Sequence, residues 1–236
     1  MIDLHSHILP GMDDGSADVK ESLWLLGELA GQGVTVVSAT PHFYATKEYP
    51  EAFLRRRAQS MEQLVPHLTA AHPAIRMGAE VHYFEGMSRA AGLKQLCIEG
   101  TPLFLLEMPY GFWGNRMVDE VLELSRTGEM TIVLAHVERY LAHQPGQLWE
   151  QLARNGVLFQ ANAEPFARRF GSGRAMKLLR NGQLHFLGSD CHDSKKRPPR
   201  LAQARVRITR ALGSEVLLRL DDAQYKWFSR SEVPVG

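Results

Sequence analysis

The sequence predicts an α/β fold built on parallel strands, and three observations carry that expectation. Seven short apolar segments recur along the 236 residues, helix-patterned segments lie between them, and six of the seven end in His, Asp or Glu. Crossovers of that length return the chain to the same end of a sheet, so the strands pair in parallel and their carboxyl ends share one face. An open doubly wound sheet and a closed barrel have similar periodicity, although no glycine-rich phosphate loop follows the first strand.

The first strand ends in His5-Ser6-His7. Side chains alternate along a strand, so His5 and His7 share a face about 7 Å apart, close enough to converge on one ion, with Asp3 one step deeper. Residues 8–16 form a loop by their Pro, Gly and Asp content, and Ser16 is read as the cap of a helix carrying Val19, Leu23, Leu26 and Leu29. The β-branched run 34–40 is a buried strand that stops at Thr40-Pro41-His42. A helix over 51–68 follows, with an exposed basic face that includes Arg55, Arg56 and Arg57. The third strand, 74–79, stops at Glu80, and the fourth, 102–106, stops at Glu107. After a helix over 118–124, the fifth strand, 130–135, stops at His136. A helix over 148–155 closes at Gly156, and the sixth strand, 157–160, ends near Asn162. A helix over 174–180 closes at Gly182, and the seventh strand, 184–189, ends in Asp190-Cys191-His192. Residues 200–220 make one or two terminal helices.

Composition narrows the classes. The length suits one large domain over 1–236, with no repeats or low-complexity linker. A net charge of +1 gives no global field for nucleic acid or an anionic membrane. No signal peptide and no apolar run approaching the ~20 residues of a membrane span are expected. Two cysteines, Cys97 and Cys191, are too few for a disulfide framework and fit a reducing cytoplasm. Oligomeric state leaves no trace in the sequence.

The strand-end residues carry the chemistry. His5, His7, His42, Glu80, Glu107, His136, Asp190 and His192 stand at strand ends, and Asp14 lies in a loop on the same face. Singly, each is a surface residue. Jointly, five imidazoles and four carboxylates converging from distant parts of the chain describe a multinuclear metal site. Such ligands suit Mn²⁺, Fe²⁺ or Zn²⁺ without choosing among them.

In that order the residues resemble the PHP (polymerase and histidinol phosphatase) superfamily. Longer motifs are similar to one branch: Met-Ile-Asp-Leu-His-Ser-His at 1–7, Asp-Asp-Gly at 13–15, Thr-Pro-His at 40–42, Gly-Ala-Glu at 78–80, Ala-His-Val-Glu-Arg-Tyr at 135–140, Ser-Asp-Cys-His at 189–192 and Arg-Pro-Pro at 197–199. That branch is the bacterial manganese-dependent protein-tyrosine phosphatases of capsule and exopolysaccharide clusters, the CpsB/CapC type, and the resemblance runs from residue 1 to about 200. It implies a distorted (β/α)7 barrel with the site at the carboxyl ends of the strands. It implies ligand roles for His5, His7, Asp14, His42, Glu80, Glu107, His136, Asp190 and His192, with up to three ions, manganese foremost, and Glu80 as the bridging carboxylate. Asp14 rather than Asp13 takes the acid position by motif alignment. The implied partner is a tyrosine-phosphorylated bacterial kinase of polysaccharide assembly.

A site of this kind hydrolyses phosphomonoesters, because adjacent divalent ions lower the pKa of a bound water and clamp the phosphoryl oxygens. Arg139 and Arg197, just past ligands on the active face, are the candidate phosphate binders. Competing readings exist. Cys191 to Arg197 has the Cys-x5-Arg spacing of cysteine-dependent tyrosine phosphatases, but the loop lacks glycine, and Pro198-Pro199 remove two donors. Another PHP hydrolase, a histidinol-phosphate phosphatase or a nuclease, is the alternative, although a nuclease is expected to be more basic. An amidohydrolase shares the opening His-x-His, but no strand-end lysine follows. A non-catalytic metal-binding regulator is disfavoured by the complete ligand set. His82 and Glu85 are read as rim residues, and His67, His72, His143 and His185 as structural. Phe43, Tyr44, Tyr110, Phe112 and Trp113 form either an aromatic rim or ordinary loop packing.

Overall fold

In the computed structural model, which describes residues 1–168 and 173–229, every strand pairing is parallel. β1 (Ile2–Ser6), β2 (Val36–Ala39) and β4 (Ala74–Met77) pair in the order β1-β2-β4. β3 (His42–Phe43), β5 (Glu80–His82), β6 (Leu103–Glu107), β7 (Thr131–Leu134), β8 (Leu158–Asn162) and β9 (Phe186–Gly188) pair in sequence order. The sheet curls until its first and last strands meet. Asp190 N–H donates to the His5 carbonyl at 2.8 Å, and His7 N–H donates to the Cys191 carbonyl at 2.9 Å.

The predicted second and third strands are each broken, and the breaks matter. Pro41 has no N–H to extend β2, so the ladder stops after Ala39 and restarts at His42. Beside it, Gly78 interrupts the third strand where a Cβ would come within 2.9 Å of Ile98 Cγ1. His42 and Glu80 therefore open new short strands, paired to each other, rather than closing the preceding ones.

Burial on both faces explains the unbroken apolar runs. Ile2, Leu4, Leu103, Leu105, Val133, Ala135 and Phe186 form one cluster with Ile98 and Phe228. The alternate residues Phe104, Leu106, Ile132, Leu134 and Leu187 join the larger cluster with the helices.

Helices α1 (Val19–Gly31), α2 (Pro50–Leu64), α3 (Asn115–Arg126), α4 (Gly146–Arg154), α6 (Gly173–Arg180), α7 (Leu201–Leu212) and α8 (Glu215–Phe228) match the expected segments, with a short α5 (Ala163–Ala167) packed on α7 that periodicity did not reveal. Two details correct the sequence reading. Asp18, not Ser16, caps α1 by accepting the Glu21 N–H at 2.9 Å, while Ser16 Oγ donates to the Asp18 carbonyl. Of the basic run of α2, Arg55 is exposed as expected, but the other two are engaged. Arg57 is buried and donates to the Gly78 carbonyl, and Arg56 donates to the Met12 carbonyl and to Glu48. α2 is thereby fastened to the two loops that carry Asp14 and Glu80. Among the described residues, no helix is long and apolar enough to cross a membrane.

His185 is structural, as expected. Its Nδ1 accepts the Phe159 N–H at 3.0 Å, and burial pushes its pKa down to about 4. The unfolded chain then binds more protons than the folded one between about 4 and 6.5, so stability falls as pH drops through that window. The loss should reach up to about 3 kcal/mol. Urea unfolding of wild type and His185→Gln at pH 7, 5.5 and 4.5 checks this: their stability difference should shrink on acidification. A difference independent of pH would remove His185 as its source.

Candidate metal centre

Glu80 sits at the middle of the site. Its Oε1 lies 2.8 Å from His136 Nε2, and its Oε2 lies 3.1 Å from His5 Nε2, 3.2 Å from His7 Nε2 and 3.1 Å from His42 Nδ1. Around this core, Asp190 Oδ1 is 3.5 Å from His5 Nε2 and 3.4 Å from His7 Nε2. Glu107 Oε1 stands 3.4 Å from His136 Nε2. Asp14 Oδ1 lies 3.6 Å from His42 Nε2 and equally 3.6 Å from His192 Nε2. All nine sequence-predicted ligand positions are thus in one place.

Three groups within this set have donor atoms within 4.8 Å of one another: His7, Asp14, His42 and His192; His5, His7 and Asp190; and His42, Glu80 and Glu107. His7 and His42 each belong to two groups, so the three groups adjoin one another. The donor set also fits a cation on other grounds. Among the described residues, Glu80 Oε2, His42 Nδ1 and His192 Nε2 are buried without a hydrogen-bond partner, a costly condition that a coordinated cation relieves. Imidazole nitrogen and carboxylate oxygen are the donors that Mn²⁺, Fe²⁺ and Zn²⁺ accept.

Electrostatics bind the cluster together. Burial alone would push the Glu80 carboxyl up, but the His5, His136 and His7 rings overcome it and hold it well below the usual carboxylate range. Burial would likewise lower His136, yet hydrogen bonds to Glu107 and Glu80 raise it to about 9. His192, buried and beside His7, is pushed down to about 3, leaving a neutral ring with a free lone pair.

The backbone is shaped to these positions. His136 and Asp190 have φ of +33° and +51°, a left-handed conformation that costs non-glycine residues about 1–3 kcal/mol each. His136 is held there by donating its N–H to Gln160 Oε1 at 2.7 Å, and Asp190 by its hydrogen bond to β1. Glycine is required where chains press on the histidines. A Cβ at Gly188 would lie 2.6 Å from His5 Cβ, and one at Gly15 would lie 2.4 Å from His7 Cβ.

Several supporting residues escaped the sequence reading. Asp13 Oδ2 takes His7 Nδ1 at 2.7 Å and the His42 N–H at 2.8 Å, which aims His7 Nε2 at the centre. That separates the two aspartates: Asp13 orients, while Asp14, 66% exposed, faces His42 and His192. Gln160 also contacts His5 Nδ1 at 3.3 Å, and it donates to Asn162, whose Nδ2 donates to Asp190 Oδ2 at 2.6 Å. Tyr140 OH lies 3.2 Å from His136 Nδ1 and donates to the Met108 carbonyl. The available signal was two polar residues, Gln160 and Asn162, on one face of an otherwise apolar strand.

Both candidate arginines converge on the same atom. Arg139 and Arg197 donate to Asp190 Oδ2 at 2.8 and 2.7 Å, and each side chain is 38% exposed at the mouth of the site. The cysteine alternative fails on geometry. Cys191 is fully buried, and burial pushes its thiol up to about 12. The loop amides that would cradle a phosphate are taken: Ser194 N–H by Glu21, and the Lys195 and Lys196 N–H groups by Asp193.

Of the remaining candidates, His82 touches Glu107 at 3.1 Å from the rim, and Glu85 pairs with Arg116. His67 lies in a one-turn helix, His72 accepts the Thr69 N–H, and His143 meets Tyr110 edge to face. The aromatics divide. Phe43 and Trp113 are core, Tyr44 lies against His42 and His82, and Tyr110 and Phe112 are exposed.

The sequence profile described as capsular polysaccharide synthesis, CpsB/CapC, matches residues 1–222. The chain belongs to the CpsB/CapC family. Its relatives include the tyrosine-protein phosphatase CpsB of Streptococcus agalactiae, 31% identical over 91% of this chain and 92% of that protein. The tyrosine-protein phosphatase YwqE of Bacillus subtilis is 27% identical over 92% of this chain and 87% of that protein. A chain from the crystal structures of YwqE from Bacillus subtilis and CpsB from Streptococcus pneumoniae, described as unique metal-dependent tyrosine phosphatases, superposes with a TM-score of 0.84. It is 25% identical and covers 98% of this chain and 95% of the other. A TatD-like protein from Archaeoglobus fulgidus shares the fold of this CpsB/CapC member at a TM-score of 0.51 and 14% identity.

Proposed function

We propose that this chain is a metal-dependent protein-tyrosine phosphatase, a single PHP-type domain over 1–236 whose curled sheet is a distorted (β/α)7 barrel. The site lies at the carboxyl ends of its strands. His5, His7, Asp14, His42, Glu80, Glu107, His136, Asp190 and His192 hold up to three divalent ions, manganese foremost. The substrate is a phosphotyrosine on a bacterial kinase of capsule or exopolysaccharide assembly, met in the cytoplasm. The observation that carries this reading is the convergence of five imidazoles and four carboxylates around Glu80, with two arginines at the mouth.

Bound there, the ions supply a water that deprotonates near neutral pH and a clamp on the phosphoryl oxygens. The protein's own groups do the rest. Asp13, Gln160 and Tyr140 fix the ring orientations of His7, His5 and His136. Arg139 and Arg197 orient the phosphate by charge-assisted hydrogen bonds.

Steady-state hydrolysis of a phosphotyrosine peptide, histidinol phosphate and single-stranded DNA, with Mn²⁺ and after chelation, tests the proposal. Manganese-dependent turnover of the peptide is expected; preference for either other substrate would overturn it. Cys191→Ser should keep peptide turnover while EDTA abolishes it. The reverse pattern, an inert Cys191→Ser with EDTA-resistant wild type, would restore the thiol mechanism.

A further inference from the structure

Beside the metal centre lies a cavity of about 290 Å³ whose far side the proposed reaction does not use. Asp190, Arg139 and Arg197 are the wall the two share. Arg139, Arg168, Lys196 and Arg197 line the cavity, together with Asn162. Its carboxylates are already engaged. Asp190 Oδ2 is held by both active-site arginines and Asn162, Glu164 pairs with Arg168, and Glu138 accepts the Asn162 N–H. Two guanidinium groups on one carboxylate oxygen leave N–H donors over. Lys196 is exposed, and among the described residues its ammonium enters no ion pair. It feels Asp193 of its own loop, whose carboxylate already accepts the Lys195 and Lys196 N–H groups. Among the described residues that line it, all but Pro165 and Pro198 are charged or polar, so an anion finds several partners there.

We propose that this cavity is a subsite for a second anionic side chain of the substrate protein, one or two residues from the phosphotyrosine. Lys196 is the specificity-determining cation. The proposal rests on the phosphatase reading of the neighbouring centre. An extended peptide allows it: alternate residues lie on one side of the chain, so two side chains of one substrate can enter adjoining sites. The anion can be a carboxylate or a phosphate, since both match clustered Arg and Lys donors.

The experiment compares kcat/KM for phosphotyrosine peptides carrying Glu, Gln or phosphoserine at the flanking positions, on wild type, Lys196→Ala and Lys196→Glu with Mn²⁺. Wild type should favour Glu or phosphoserine over Gln by up to about fivefold, the range of a partly exposed ion pair. Whichever anion shows the larger preference identifies the source. Lys196→Ala should bring the ratio towards one, and Lys196→Glu should invert it, with an Arg-flanked peptide regaining the lost rate. A wild-type ratio near one, or equal losses on all peptides in both variants, would overturn the subsite while leaving the phosphatase standing. Wild type inactive on every phosphotyrosine peptide would bring down both.

Discussion

Glu80→Gln should lose about two to three orders of magnitude in phosphotyrosine turnover and release most of the bound metal, the range set by breaking a buried charge pair. The reason is its position. Its two oxygens lie within 3.2 Å of nitrogens on His5, His7, His42 and His136, which arrive from three separate strand passages. Glutamine keeps the shape but replaces one oxygen by an N–H₂ group. That group has donors and no lone pair, and it would face imidazoles that must offer their own lone pairs to cations. Gly78, Arg57 and the His42↔Glu80 pairing still hold the backbone, so the fold should survive. Elemental analysis and steady-state kinetics on the same preparation read the two losses together, with near-ultraviolet circular dichroism as the check on folding. Full metal stoichiometry at near-wild-type turnover would show that Glu80 does not hold the ions.

The candidate set was legible because eight of its nine residues stand where an apolar run ends, and parallel pairing sends all such ends to one face. Spacing alone made His5 and His7 a pair. What could not be read was how the ends are held. Asp13 and Asp14 are adjacent and chemically identical, and only the turn at Gly15 decides that Asp13 points back to His7 while Asp14 points out. Arg55, Arg56 and Arg57 read as a charged face, yet helical rotation carries Arg57 inward to a carbonyl freed by the strand break at Gly78. That break itself depends on Pro41 and Gly78 falling in the same gap between the Ala39↔Met77 and His42↔Glu80 pairs, a relation invisible along the chain. Ser16 and Asp18 are both good caps, and a hydrogen bond from Ser16 to the Asp18 carbonyl spends the serine on the loop instead. The aromatics divided for the same kind of reason: whether a loop ring is core or rim depends on which neighbour covers it.

Arg139→Ala should cut turnover by about ten- to a thousandfold while the metals stay bound, the span expected for one charge-assisted contact to a transferring phosphoryl group. Arg139 and Arg197 donate to the same Asp190 oxygen at 2.8 and 2.7 Å, and that oxygen points away from the histidines that Oδ1 faces. The arginines therefore sit at the edge of the centre, able to turn to a phosphate without uncovering a ligand, because Asn162 still holds Asp190 at 2.6 Å. Lysine in place of Arg139 keeps the charge but not the fork, so Arg139→Lys should recover only part of the loss. The shared anchor has a further consequence. Removing one arginine leaves the other more firmly drawn to Asp190, so Arg139→Ala with Arg197→Ala should cost less than the product of the single losses. Measured kcat and KM with a phosphotyrosine peptide, alongside metal content, decide the matter. A single variant with unchanged turnover removes that arginine from the mechanism, and strict multiplicativity would mean that the two do not act through Asp190 together.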